Sequence, residues 1–218
     1  MAVTVLLYGP SSSGKSSSAR NFASDELALI NVISKPLPFR GKFDSTLETD
    51  DIEKIIKAIN STTKKSIMID DAGYLITNYF MKNHSSAGQG NGVFSLYNDL
   101  GDRFWTLLNV CNTRIAPDKI VYIVMHEEES EFGKTKPKTI GKLLDEKVCV
   151  EGMFTIVLHS KVDDKGEHVF EVQSDGTNVA KSPMDMFSGS VIPNDLKAVD
   201  DTIREFYGIM PIKEKGEK

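Results

Sequence analysis

The run Gly9-Pro10-Ser11-Ser12-Ser13-Gly14-Lys15-Ser16 constrains this chain more than any other stretch of it. It reads G-x-x-x-x-G-K-S: small residues, then a lysine, then a hydroxyl. Such a run lets the backbone curl so that several N–H groups converge on phosphate oxygens, and a helix start just behind it adds its positive end. In that geometry Lys15 reaches the β- and γ-phosphates and the Ser16 hydroxyl binds Mg2+. The flanks agree with this. Val3-Thr4-Val5-Leu6-Leu7-Tyr8 is a short apolar run of the buried-strand type, and residues 17–23 can continue as a helix. A Ser/Gly-rich loop without a ligand is the alternative, yet the pattern arises by chance in roughly one chain of this length in a hundred. Gly9, Pro10, Ser11, Ser12, Ser13, Gly14, Lys15, Ser16 and Ser17 are therefore the expected nucleotide-binding segment, with ATP and Mg2+ as its expected ligands.

A site of this kind needs a carboxylate opposite the hydroxyl, because Mg2+ takes oxygen ligands. Ser66-Ile67-Met68-Ile69-Asp70-Asp71 supplies one: an apolar strand ending in two acids, one strand–helix unit downstream of the glycine-rich loop. Asp70 is assigned to the magnesium shell, through a water. Asp71 has two readings, a general base that orients the attacking water or an acid that caps a helix or faces solvent. A third buried strand, residues 120–125, ends at His126, which is either a γ-phosphate sensor or a structural histidine. Lys15, Asp71 and His126 are thus the catalytic candidates.

Other segments are organisational. Residues 27–34 read as a second strand, closed by the basic, proline-containing segment Lys35-Pro36-Leu37-Pro38-Phe39-Arg40-Gly41-Lys42, which either packs over the sheet edge or touches nucleotide, subunit or DNA. Asp50 and Glu53 form a capping-box pattern ahead of Ile52, Ile55, Ile56 and Ile59, spaced for one helix face. Residues 84–92 are a glycine- and serine-rich hinge. A helical stripe through Val93, Tyr97, Leu100, Phe104, Leu107, Leu108 and Cys111 follows, with Trp105 expected in the core. Lys134, Lys136, Lys138 and Lys142 lie in a stretch broken by Gly133, Pro137 and Gly141; it is a flexible basic loop that either tracks a nucleic-acid backbone or is merely solvated. Residues 154–158 are another strand, Asp163-Asp164-Lys165-Gly166 is turn chemistry leading to a strand at 168–172, and residues 195–207 make an amphipathic helix stopped by Gly208.

Composition bounds the rest. The chain has 218 residues, 40% hydrophobic and 26% charged, which fits a core-forming globular protein with residues 1–208 as one domain and 209–218 as a charged tail. A net charge of −5 confines any nucleic-acid contact to a local patch or a surface shared between subunits. Two cysteines, Cys111 and Cys149, make neither a disulfide framework nor a zinc site. Without a signal-peptide pattern or a membrane span, the expected location is the cytoplasm. The alternation of strands and helices implies an α/β three-layer sandwich: a mostly parallel sheet, another strand between the phosphate strand and the acid strand, and a C-terminal antiparallel hairpin.

With these residues in view, the chain resembles phage-encoded RecA-like P-loop ATPases, AAA-domain nucleotide-binding proteins that include the Sak-type single-strand annealing proteins. The resemblance rests on residues 9–16, Lys35-Pro36-Leu37-Pro38-Phe39, residues 67–71, Met125-His126-Glu127 and Ala180-Lys181-Ser182-Pro183. It implies an ATP-hydrolysing protein acting on single-stranded DNA in recombination or replication, in the host cytoplasm, as a ring or filament of identical subunits and near a single-strand-binding protein. It also implies that a cation from one subunit reaches a neighbour's γ-phosphate, a task for which Lys181 is the candidate. RecA relatives carry a catalytic Glu after the second strand; here Ser34-Lys35-Pro36 stands in that place, which moves the role to Asp71 or slows hydrolysis. Two other classes compete: a nucleotide-switched module binding DNA or a partner with little turnover, and a small-molecule kinase. The kinase lacks support from lid arginines, since none of the five Arg lies between Arg114 and Arg204.

Overall fold

A computed structural model describes residues 2–88, 90–130, 133–140 and 143–210. Its strands are β1 (Val3–Gly9), β2 (Leu27–Asn31), β3 (Ser45–Glu48), β4 (Ser66–Asp70), β5 (Ile120–Glu129), β6 (Thr135–Pro137), β7 (Ile156–Val162), β8 (His168–Glu171) and β9 (Val191–Pro193). The α-helices are α1 (Ile52–Ser61), α2 (Gly73–Asn83), α3 (Asn91–Thr113) and α4 (Leu196–Tyr207). The sheet order is β3-β2-β4-β5-β1-β7-β8-β9, with β6 paired to the far end of β5. All neighbours from β3 through β7 are parallel, whereas β7-β8-β9 run antiparallel. The α/β fold, the mostly parallel sheet and the C-terminal antiparallel strands agree with the sequence expectation. So does the strand between phosphate strand and acid strand: it is β5.

The central strands are apolar throughout because both of their faces are covered. On β1, Leu6 and Tyr8 enter one core while Val5 and Leu7 enter the other; β5 divides the same way, with Val121, Ile123 and Met125 against Ile120, Tyr122 and Val124. The first core is closed by α1, α2 and α3, the second by α4, Phe22 and Phe43. Within α1, Ile52, Ile55 and Ile59 are buried, as the spacing predicts. Its N-cap, however, is Asp51, whose carboxylate accepts from the Glu53 and Lys54 amides. Asp50 instead binds Asn78 and Lys82 on α2.

Several elements depart from expectation. The helix expected after the glycine-rich loop is a six-residue 3-10 segment, Ser16–Asn21. Three consecutive serines are poor helix formers, and Ser18 Oγ turns back onto the Lys15 carbonyl at 2.6 Å. The second strand stops at Asn31. Trp105 is 44% exposed and not in the core, since the buried face of α3 runs through Leu100, Phe104, Leu107, Leu108 and Cys111. The basic stretch is not a free loop: Thr135–Pro137 forms β6 against the end of β5, and Lys136 pairs with Glu128 at 3.3 Å. Lys142 and residues 211–218 of the tail lie outside the described residues. Among the described residues no helix is long and apolar enough to cross a membrane.

At the end of the sheet away from the glycine-rich loop, α4 is anchored by a buried ion pair. Arg204 Nε donates to Asp200 Oδ1 at 2.6 Å, and Ser66 Oγ and Tyr122 OH donate to Asp200 Oδ2 at 2.6 and 2.9 Å. The remaining Arg204 donors reach the carbonyls of Lys65 and Asp118 at 3.0 and 3.2 Å. Both charges are satisfied only together. Removing the cation strands a carboxylate whose own pKa burial already raises. Arg204→Met is therefore expected to cost about 3–5 kcal/mol of stability in urea denaturation; a loss under about 1 kcal/mol would show that the pair is not the anchor of α4.

Candidate functional site

Every catalytic and metal-binding candidate sits at the carboxyl end of a parallel strand, where open α/β sheets bind ligands. The pairing puts Gly9 opposite His126, Tyr8 opposite His159, and Asn31 opposite Asp70. The tips of β1, β2, β4, β5 and β7 therefore lie side by side. Between them is a cleft of about 340 Å3 lined by residues 11–17, Lys35, Pro36, Pro38, Asp71, His126 and His168.

The glycine-rich loop is packed from beneath. A Cβ on Gly9 would lie 2.2 Å from the Ser160 carbonyl oxygen and 3.0 Å from Ser13 Oγ, so only glycine passes there. Gly14 has φ +93°, and a Cβ on it would stand 3.0 Å from the ring of His168. Ser160 Oγ on β7 donates to the Ser13 carbonyl at 2.7 Å, which pins the loop's middle. Arg20 donates to the Asn194 carbonyl at 2.8 Å and Asn21 to Asp195 at 2.7 Å, tying the 3-10 segment to the start of α4.

Two observations make the loop an anion cradle. Lys15 is buried, 6% exposed, and among the described residues its ammonium donates only to the Gly9 and Pro10 carbonyls, at 2.8 and 2.6 Å. Burial pushes its pKa down to about 8, partly offset by the charges of Asp71 and Asp70. Ser13 Oγ, also buried, has no hydrogen-bond partner among the described residues. A buried cation without a carboxylate in contact and an unsatisfied hydroxyl both gain from phosphate oxygens.

The acid strand meets the loop as the sequence implies. Ser16 Oγ donates to Asp70 Oδ1 at 2.9 Å. Asp70 is 2% exposed; burial first, then the adjacent Asp71 charge, raises its carboxyl above the ordinary range. A hydroxyl and a carboxylate oxygen at one point fit Mg2+, a hard cation that binds few protein oxygens and keeps several waters. Asp71 adopts the left-handed region, φ +59°, and faces the cleft. It is 2% exposed, neither a cap nor a solvent-facing acid. Its Oδ1 lies 3.5 Å from His126 Nε2, and its Oδ2 is ion-paired with Lys35. Burial works to raise its carboxyl, but His126 and Lys35 together hold it below the ordinary range.

The remaining candidates lie apart. Lys181 pairs through its backbone with Val157 on β7 and does not line the cleft. Lys138 donates its amide to the His126 carbonyl at 2.8 Å and lines a second cleft of about 470 Å3, which shares Ser11 and His126 with the first. Sequence reasoning missed Lys35 as an individual residue, together with His168 and Ser160. Only Lys35 had a local signal: it follows the second strand and opens the basic, proline-containing segment.

The profile of the family described as AAA domain matches residues 1–184, and the chain belongs to that family. It is thus an ATPase-type nucleotide-binding domain. A comparison with curated proteins found no match.

The Lys15 environment carries a pH consequence. Its folded pKa, about 8, lies below the ordinary 10.5, so the free protein gains stability as pH rises between those values. Polyanion binding has the opposite dependence because it needs the charged form. With the pKa near 8, the Kd for ATP is expected to rise about tenfold between pH 7 and pH 9. Equilibrium titration checks this: in Lys15→Ala binding should be weaker and the slope above pH 8 gone.

Proposed function

We propose that this AAA-domain protein binds ATP with Mg2+ in the cleft at residues 11–17 and hydrolyses it. We further propose that turnover is coupled to single-stranded DNA, in recombination or replication. The observation that carries the ATP reading is the meeting of buried Lys15, Ser16 and Asp70 beneath a loop that only glycines at positions 9 and 14 allow. Lys15 takes up the charge growing on the β,γ-bridging and γ oxygens. Ser16, and Asp70 through a water, would hold Mg2+, which would neutralise phosphate charge when bound. Asp71 lies deep in the cleft, ionised at neutral pH and oriented by His126. In the step it serves, a water oxygen attacks the γ-phosphorus. The bond to the β,γ-bridging oxygen breaks with its electron pair leaving on ADP, and the water's proton passes to Asp71.

The DNA reading is supported by the resemblance and by the path from the lysine-bearing strand β6 to the site. Lys134 and Lys138 are exposed on either side of β6, and one backbone hydrogen bond joins Lys138 to His126. A phosphate backbone held by Lys134 and Lys138 would bear, through that hydrogen bond, on β5 at His126. Assembly into a ring or filament, with Lys181 reaching a neighbour's nucleotide and a single-strand-binding protein nearby, completes the proposal. One observation favours a second reading, a nucleotide-switched module with little turnover: Asp71 is held in an ion pair with Lys35.

Phosphate release from ATP, with and without single-stranded DNA, separates the two. The proposal expects turnover that DNA stimulates and Lys15→Ala abolishes, and a loss of about 10²–10⁴-fold in kcat for Asp71→Asn. Tight ATP binding without turnover in either condition overturns hydrolysis in favour of the switch.

A further inference from the structure

The Lys35 backbone is held in place by several independent constraints. Ser34, just before it, adopts the left-handed region at φ +54°, a conformation a serine takes only where the surroundings impose it. Asn31 Nδ2 donates to the Lys35 carbonyl at 2.7 Å, and Pro36 and Pro38 stiffen the backbone on its C-terminal side. The side chain so placed reaches across the tip of β4 to pair with Asp71 and lines the same cleft as residues 11–17.

The electrostatics around it are unusual for a plain structural ion pair. Lys35 sits close enough to Lys15 for its charge to disfavour the Lys15 ammonium, and close enough to Asp70 to feel that carboxylate as well. Two cations directed at one cleft repel each other unless an anion lies between them. Asp71 offers one carboxylate; a terminal phosphate offers three oxygens and more charge. The Lys35 side chain is 41% exposed while Asp71 is 2% exposed, so the lysine is the partner free to swing.

We infer that Lys35 is a γ-phosphate ligand supplied within the same chain: with ATP bound, its ammonium moves from the Asp71 carboxylate to γ-phosphate oxygens, leaving Asp71 with His126 and a free oxygen for the attacking water. ADP offers no γ-phosphate, so Lys35 stays on Asp71. The ion pair is then a detector of the third phosphate, and it blocks the base until that phosphate arrives. No bond is made or broken in this exchange of ionic partners. The inference rests on the nucleotide reading of the cleft and goes beyond it by naming what tells ATP from ADP.

Calorimetric titration with ADP and with the non-hydrolysable β,γ-imido analogue of ATP, each with Mg2+, tests it. For Lys35→Met the analogue should lose about tenfold or more in affinity while ADP changes by less than about twofold, and Lys35→Arg should recover most of the loss. Asp71→Asn, which keeps Lys35 but removes its competing partner, should raise the ratio of analogue to ADP affinity. Equal losses for both nucleotides in Lys35→Met, or no rise of that ratio in Asp71→Asn, overturn the assignment. If the unmodified protein binds both nucleotides in a Lys15-dependent way and these ratios do not move, only the role of Lys35 falls. If it binds neither, the nucleotide reading falls with it.

Discussion

The hydrogen bond between Ser16 and Asp70 joins residues 54 apart, and the rest of the arrangement depends on it. It exists because β5 lies between β1 and β4 and brings their carboxyl ends level. That placement is in turn enforced by burial. Each of the three strands is covered on both faces, so a slip of one residue would carry apolar side chains into the wrong core and break two layers of packing at once. Register, fixed by cores far from the cleft, thus fixes the position of oxygens inside it.

The chemistry of the cleft then depends on how few partners its charges have. Among the described residues the Lys15 ammonium donates only to carbonyl oxygens, the Asp70 carboxylate meets the Ser16 hydroxyl, and Asp71 a lysine and a histidine. Lys15, Asp70 and Asp71 are too buried for water to screen them fully, so each stands to gain from a ligand of opposite charge. Two non-glycine residues at adjacent strand ends, Ser34 and Asp71, hold left-handed backbones. Strain of this kind collects where geometry serves a ligand.

Much of this is legible in the chain because the signals are local. The G-x-x-x-x-G-K-S run, the apolar strand ending in Asp70 and the strand ending at His126 each carry their meaning within a dozen residues. The features that escape such reading are either weakly patterned or long-range. β3 is short and alternates half-exposed with exposed residues, and its pairing partner lies across a proline-rich segment. β6 contains lysine and proline, which read as a loop until Glu128 and Lys136 are seen side by side. Ser160 meets Ser13 across 147 residues, a distance no spacing rule spans. Hydrophobicity alone would put Trp105 in the core; the helical phase of α3 places it outside.

Everything proposed for the cleft rests on the proposed role of Ser16 and Asp70 as the cation half of a nucleotide site. The most direct test is ATP binding measured with Mg2+ and again with the cation chelated, for the unmodified protein and for Ser16→Ala. The account predicts affinity that depends strongly on Mg2+ in the former and that loses most of this dependence in the latter. Affinity indifferent to Mg2+, or a cation dependence untouched by Ser16→Ala, would contradict it.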